Sequence, residues 1–153
     1  MKIILLDDHK IFGESLSKLL RESEKIDLCT FVANAKDLFN KINIIDYDIC
    51  ILDININSNL TGFDILEELL AYKKEQKVVI LSSYDYPMYR DRAYKLGAKD
   101  YISKSVGTDE LLKRLENIEN NNFNNKRNLF QNYLTNREIE ILRELIIEEV
   151  ISK

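Results

Sequence analysis

The stretch YDICILDI (47–54) decides the fold. Ile49, Cys50, Ile51 and Leu52 are apolar without a break, so neither side of this short run is a polar face. A strand of that kind is buried on both faces, the habit of strands in a parallel sheet covered by helices. KIILL (2–6) has the same character upstream, and KVVILSS (77–83) downstream. IDLCTF (26–31) and DYIS (100–103) bring the number of such runs to five.

Between them the period changes to that of helices. HKIFGESLSKLLRES (9–23) repeats Ile11, Phe12, Leu16, Leu19 and Leu20 at helical spacing, and NAKDLFNKI (34–42) starts on Asn34 as an expected N-cap. FDILEELLAYKKE (63–75) is amphipathic; in PMYRDRAYKLG (87–97), Pro87 suits a first turn and Gly97 a C-terminus. TDELLKRLENIEN (108–120) closes the series, with Thr108 expected to cap it. Strands alternating with helices predict an α/β chain, a flavodoxin-like doubly wound (βα)5 with a parallel five-stranded sheet of order 2-1-3-4-5. Ligands of such sheets bind at the carboxyl ends of the strands.

The bulk numbers narrow the function. Of 153 residues 45 % are hydrophobic, enough for a core. The net charge of −4 and the pI near 5.2 argue against nucleic-acid binding as the main feature, which needs a basic patch. Cys29 and Cys50 sit inside apolar runs and read as buried thiols of a reducing cytoplasm. No run reaches the ~18 apolar residues of a membrane span, and MKIILLDDHK turns acidic too early for a signal peptide. The expected location is cytoplasmic, with no membrane partner.

Asp7 and Asp8 follow the first strand, and Asp53 ends the third. A DD pair after a strand also suits a helix cap or a solvated loop. The third Asp, at the end of an adjacent central strand, favours a site instead. Three carboxylates in one place repel unless a cation lies among them, and Mg²⁺ takes one or two carboxylates with water and phosphate oxygens. Ser82 ends the fourth strand and Lys104 the fifth. A hydroxyl and an ammonium facing such a cluster suit a phosphoryl group on one carboxylate, since phosphoryl transfer is mostly positioning and charge neutralisation.

Together, ILLDDH (4–9), ILD (51–53), TGFD (61–64), VILSS (79–83) and GAKDYISK (97–104) resemble the receiver domain of bacterial two-component response regulators over residues 2 to 119. The resemblance implies that Asp53 is the phospho-acceptor, phosphorylated by a partner sensor histidine kinase. It implies Mg²⁺ ligated by Asp8 and Asp53 directly, by Asp7 through a bound water, and by the backbone carbonyl of Asn55. Lys104 would bind the phosphate, and Ser82 with Tyr101 would form the switch pair. On phosphorylation Ser82 moves to the phosphate, the Tyr101 ring turns inward and the surface changes shape, favouring a homodimer. Read without the resemblance, Tyr101 is a half-buried strand aromatic rather than a switch residue.

The chain also departs from that pattern. DININSNLTG (53–62) has Asn57 where a proline is usual, and runs one residue long before Gly62. Ser83 stands where a smaller residue is common, and Ser105 follows Lys104 in place of proline. His9, the single histidine, reads as a surface or helix-start residue rather than a metal or proton-transfer group.

Three segments are expected: a receiver domain over 1–119, an Asn-rich linker over 120–133, and a helix over 134–153. LTNREIEIL (134–142) is similar to the first helix of the LuxR-type helix-turn-helix domain of NarL/FixJ regulators, and Thr135 with Glu138 forms a capping box. The recognition helix of that domain is absent from the sequence, so DNA contact belongs to a longer parent protein, the chain being a piece of it or a product that lost the part. Glu138, Glu140, Glu144, Glu148 and Glu149 would not favour a DNA backbone. The alternative is a stand-alone receiver that signals only through protein contacts, with the tail as a dimerisation helix. A Mg²⁺-dependent phosphatase would need a second Asp two residues after the nucleophile, where Asn55 stands. No turnover enzyme is expected beyond self-phosphorylation and self-dephosphorylation.

Overall fold

Every apolar run forms a parallel strand. The computed structural model describes residues 1–55, 60–121 and 136–151. In order the elements are β1 (Lys2–Leu6), α1 (Lys10–Arg21), β2 (Leu28–Val32), α2 (Ala35–Ile42), β3 (Ile49–Leu52) and α3 (Gly62–Tyr72), then β4 (Lys77–Ser82), α4 (Pro87–Lys95), β5 (Asp100–Ser103) and α5 (Thr108–Glu119). The five strands make one parallel sheet in the order β2-β1-β3-β4-β5, as expected of the flavodoxin-like arrangement.

Alternation along each strand sorts the core into two layers. Ile3, Leu5, Ile49, Ile51 and Val79 pack with Leu16 and Leu20 of α1 and Leu111 and Leu115 of α5. Ile4, Leu6, Cys50, Leu52 and Ile80 pack on the opposite layer, with Leu38 of α2, Leu66 and Leu69 of α3 and Ala93 of α4. Both faces of β3 are therefore dry, which is why its sequence lacks a polar face.

Local chemistry sets most element ends. Asn34 Oδ1 accepts the Asp37 N–H at 2.9 Å, the expected cap of α2. Thr61 and Asp64 form a reciprocal capping box at the start of α3, which the sequence reading did not single out. Gly97, after the last turn of α4, adopts φ +108°, open to glycine at little cost.

Two expectations shift. Thr108 is the first residue of α5 and not its cap; Gly107 holds that place without a side-chain bond, and Asp109 and Glu110 complement the helix dipole. β2 begins at Leu28 and not at Ile26: Ile26 is buried, but its N–H donates to the Ser23 carbonyl in a turn and joins no ladder.

Two compact units are present, Met1–Phe123 and Asn124–Lys153. In the second, α6 (Asn136–Ile151) carries exposed Ile141, Leu142, Leu145, Ile146 and Ile147. Beyond Asn120 and Asn121, which end α5, the expected Asn-rich linker lies outside the described residues, as does the Thr135–Glu138 capping box. Among the described residues no helix is long and apolar enough to cross a membrane.

Candidate acidic functional site

The parallel register delivers the carboxyl ends of β1, β3, β4 and β5 to one edge of the sheet. Leu6 stands opposite Leu52, Leu52 opposite Ile80, and Ser82 opposite Ser103. The backbone stays laced just past the strands: Asp7 N–H donates to the Val32 carbonyl at 3.2 Å, and Asp53 N–H to the Leu6 carbonyl at 3.0 Å. Lys104 N–H donates to the Ser82 carbonyl at 2.9 Å. These bonds fix where the side chains leave the sheet.

Asp7, Asp8 and Asp53 converge as expected, and His9 joins them; one donor atom from each lies within 4.8 Å of the others. Asp7 is 0 % and Asp53 3 % exposed, so neither charge is relieved by bulk water. At such separations a like-charged pair costs on the order of 3 kcal/mol at an effective dielectric of about 20. Among the described residues one ammonium faces them. Lys104 Nζ lies 2.7 Å from Asp7 Oδ2 and 3.3 Å from Asp53 Oδ2, with the Phe12 ring 4.6 Å below it.

A single ammonium does not balance three carboxylates. Burial pushes the Asp53 carboxyl up to about 6; the charge of Asp7 adds to this, and Lys104 pulls the other way. Asp7 Oδ2 and Asp53 Oδ2 are buried, and both face the one Lys104 ammonium. Oxygen donors held dry, crowded and short of positive charge fit a hard divalent cation.

The neighbouring strand ends supply the remaining groups. Ser82 is buried, and its Oγ accepts the Tyr84 N–H at 3.0 Å. Tyr101 is fully buried, its ring already inside the fold and its O–H donating to the Tyr84 carbonyl. The inward position expected of this ring on phosphorylation is thus already occupied. Gly62 lies against Asp53: a Cβ there would stand 2.2 Å from the Asp53 carbonyl oxygen. Its N–H donates to the Ile54 carbonyl at 2.8 Å.

Tyr84 is the residue that sequence reasoning missed. Its hydroxyl accepts from Asn55 Nδ2 at 2.9 Å, tying the segment after Asp53 to the segment after β4. Tyr84, Tyr86 and Tyr89 form a stacked and edge-to-face cluster there. Three tyrosines within six residues were the available signal. Ser83 is exposed, and Ser105 N–H donates to Ser103 Oγ at 3.2 Å; every described peptide bond is trans. Asn57 and the extra residue of its loop fall within 56–59, outside the described residues.

The sequence profile of the response regulator receiver domain matches residues 3–116. The chain belongs to this family. Among relatives, the chain is 28 % identical to the uncharacterized transcriptional regulatory protein YvfU of Bacillus subtilis over 151 residues, covering 94 % of this chain and 74 % of that protein. It is 27 % identical to the oxygen regulatory protein NreC of Staphylococcus haemolyticus, covering 73 % of this chain and 52 % of NreC. With the transcriptional regulatory protein CusR of Escherichia coli K12 the identity is 31 %, over 77 % of this chain and 51 % of CusR. The receiver thus spans about half the length of the last two.

Among solved structures, the receiver domain of the Francisella response regulator 1452 is 27 % identical with a TM-score of 0.70, covering 78 % of this chain and 97 % of that one. A LuxR-family two-component response regulator from Aurantimonas sp. SI85-9A1 shares the fold with a TM-score of 0.75 at 20 % identity, over 93 % and 96 % of the two chains. The relatives are named as regulatory proteins.

Proposed function

We propose that this receiver takes a phosphoryl group onto Asp53 from a partner sensor histidine kinase in a Mg²⁺-dependent reaction. The observation that supports the reading is the convergence of Asp7, Asp8 and Asp53, two of them dry, with Lys104 Nζ 2.7 Å from Asp7 and 3.3 Å from Asp53. Asp7, Asp8, Asp53 and the Asn55 carbonyl would hold the ion, which supplies charge neutralisation to the transferring group. Asp53 attacks phosphorus, the bond to the donor breaks, and an acyl phosphate results. Lys104, held by Phe12 and by the backbone bond to Ser82, stabilises the phosphoryl oxygens. Ser82 donates to another of them in exchange for its bond from Tyr84. That exchange loosens the Tyr84 carbonyl on which Tyr101 rests, so Ser82 and Tyr101 act as one switch.

The switched surface then favours a homodimer, in a cytoplasmic protein. In a longer parent resembling the transcriptional regulators, this would control DNA binding by a following domain, of which 134–153 contributes the first helix. A stand-alone receiver acting through protein contacts is favoured by one observation, the exposed apolar side chains of α6.

The test is intact mass after incubation with Mg²⁺ and a small-molecule phosphodonor. One base-labile phosphoryl group is expected, absent without Mg²⁺ and absent in Asp53→Asn. Labelling that survives Asp53→Asn overturns the assignment.

A further inference from the structure

We propose that Arg90, clasped by Asp85, is a positioning residue of the switch: it keeps the turn after Ser82 closed over Tyr101 until a phosphoryl group draws Ser82 away. The inference rests on the reading of Asp53 as acceptor with Ser82 and Tyr101 as its switch, and adds a restraint from α4.

The turn between β4 and α4 is held from two sides. From inside, Ser82 Oγ accepts the Tyr84 N–H at 3.0 Å, and the Tyr84 carbonyl accepts the Tyr101 O–H. From outside, Arg90 reaches back from α4 to Asp85, the residue after Tyr84. Its Nε donates to Asp85 Oδ1 at 2.5 Å, and Nη2 stands at 2.5 Å from the same oxygen. The buried Tyr101 ring has the Arg90 guanidinium carbon over it, 5.3 Å from the ring centroid. That is inside the ~6 Å over which an aromatic face attracts a cation. Ser82, Tyr84, Tyr101, Arg90 and Asp85 thus close a circuit around one turn.

An exposed ion pair contributes little by itself, and the Asp85 side chain is 61 % exposed. This pair differs in what it covers and in what it holds. α4 has only Ala93 and Tyr94 buried among its nine residues, so apolar packing anchors it lightly. Its arginines lie over rings of neighbouring elements instead, Arg90 over Tyr101 and Arg92 over Phe63 at 4.6 Å. A helix with so few buried contacts shifts at small cost, and the clasp ties it to the turn. When Ser82 leaves the Tyr84 N–H for a phosphoryl oxygen, the Tyr84 peptide shifts and Asp85 shifts with it. The clasp resists that shift. A contact made only before phosphorylation weakens phosphoryl binding by the factor it contributes, so its removal tightens binding.

The probe is beryllofluoride, which stands in for the phosphoryl group on Asp53. Beryllium is titrated into the ¹⁵N-labelled full chain in excess fluoride and Mg²⁺, and the midpoint is read from backbone amide resonances. Arg90→Ala and Asp85→Asn should each lower that midpoint about three- to tenfold, and the double variant no further than Arg90→Ala alone. Arg90→Lys, which keeps the charge and loses the fork, should fall between. Before any beryllium is added, the Tyr84 amide should exchange with solvent about three- to tenfold faster in both single variants, because its bond to Ser82 is the one the clasp protects. Asp85→Asn alters an exposed side chain and keeps the test open should Arg90→Ala fail to fold. Midpoints unchanged or raised would reduce the clasp to a surface pair, and the inference is then wrong. So it is if binding tightens while Tyr84 exchange stays the same, or if the two substitutions simply add. A wild-type chain that binds no beryllofluoride, or binding that survives Asp53→Asn, overturns the acceptor reading beneath it.

Discussion

Asp53 and Asp100 are both largely buried carboxylates on the same sheet, at opposite ends of its strands, and their surroundings are opposite in kind. Asp100 opens β5 and is saturated. Arg114 Nε donates to its Oδ2 at 2.8 Å and Arg114 Nη2 to its Oδ1 at 2.6 Å. The Tyr101 N–H and Tyr94 O–H donate to Oδ1 at 2.8 and 3.2 Å. Asp53, just past β3, shares one ammonium with Asp7 and has a carboxylate on either side. One end of the sheet pairs its charges and so holds the fold; the other leaves like charges crowded around one ammonium. A buried charge is evidence of function when its partners are like-charged, not merely when it is buried.

The largest expected effect lies at the saturated end. Asp100→Asn should lower stability in urea by about 2–3 kcal/mol, because it leaves the Arg114 charge half-buried without its bidentate partner. A loss below about 0.5 kcal/mol would mean that the Asp100 network is no stronger than a surface pair. At the other end the sign reverses. In excess chelator, Asp53→Asn should gain about 1–2 kcal/mol by removing one of the crowded carboxylates. A destabilised variant would break the contrast.

The third expectation is a pH dependence at the saturated end. Burial, and after it the Asp100 charge, push the Tyr94 hydroxyl up to about 12, with Arg114 pulling the other way. A hydroxyl raised above its unfolded value of about 10 gives stability that is fully present below that pH and lost as the pH climbs toward 12. Between pH 10 and 11.5 the urea midpoint should therefore fall by the equivalent of ~1–2 kcal/mol, and Tyr94→Phe should flatten that part of the curve. Asp100 and Arg114 face it, and Glu110 lies beyond Arg114. The smallest effect is at Tyr84. Tyr84→Phe keeps the ring cluster and removes only the bond from Asn55, so stability should move by less than about 0.5 kcal/mol. The lifetime of the acyl phosphate, followed by intact mass, should still change about two- to fivefold, since that bond borders the acceptor. An unchanged lifetime would confine Tyr84 to packing.

The sheet was legible because burial on both faces is written in composition: Ile49–Leu52 admits no polar alternate. The site was legible because strand ends are where an apolar run stops, so Asp53, Ser82 and Lys104 could be placed by counting. Ile26 shows the limit. It is apolar and buried, but ladder pairing depends on which backbone groups meet, and that is not a property of side-chain hydropathy. Thr108 shows another, since Gly107 could hold the cap position just as well by backbone conformation alone. The Asn55–Tyr84 bond joins residues 29 apart, and no local pattern announces such a pair. His9 was visible as a residue but not as a neighbour of Asp53, because only the turn over 7–9 folds its ring back.

The tyrosines have an optical consequence. The chain has eight tyrosines and no tryptophan, so its intrinsic emission is phenolic throughout. Tyr84, Tyr86, Tyr89 and Tyr101, four of the eight, sit at or against the turn that follows Ser82. Rearrangement of that turn changes the stacking and hydrogen bonding of half the fluorophores at once, with no indole to mask it. The protein thus carries its own label-free reporter, tied through Tyr84 and Asn55 to the segment that follows Asp53.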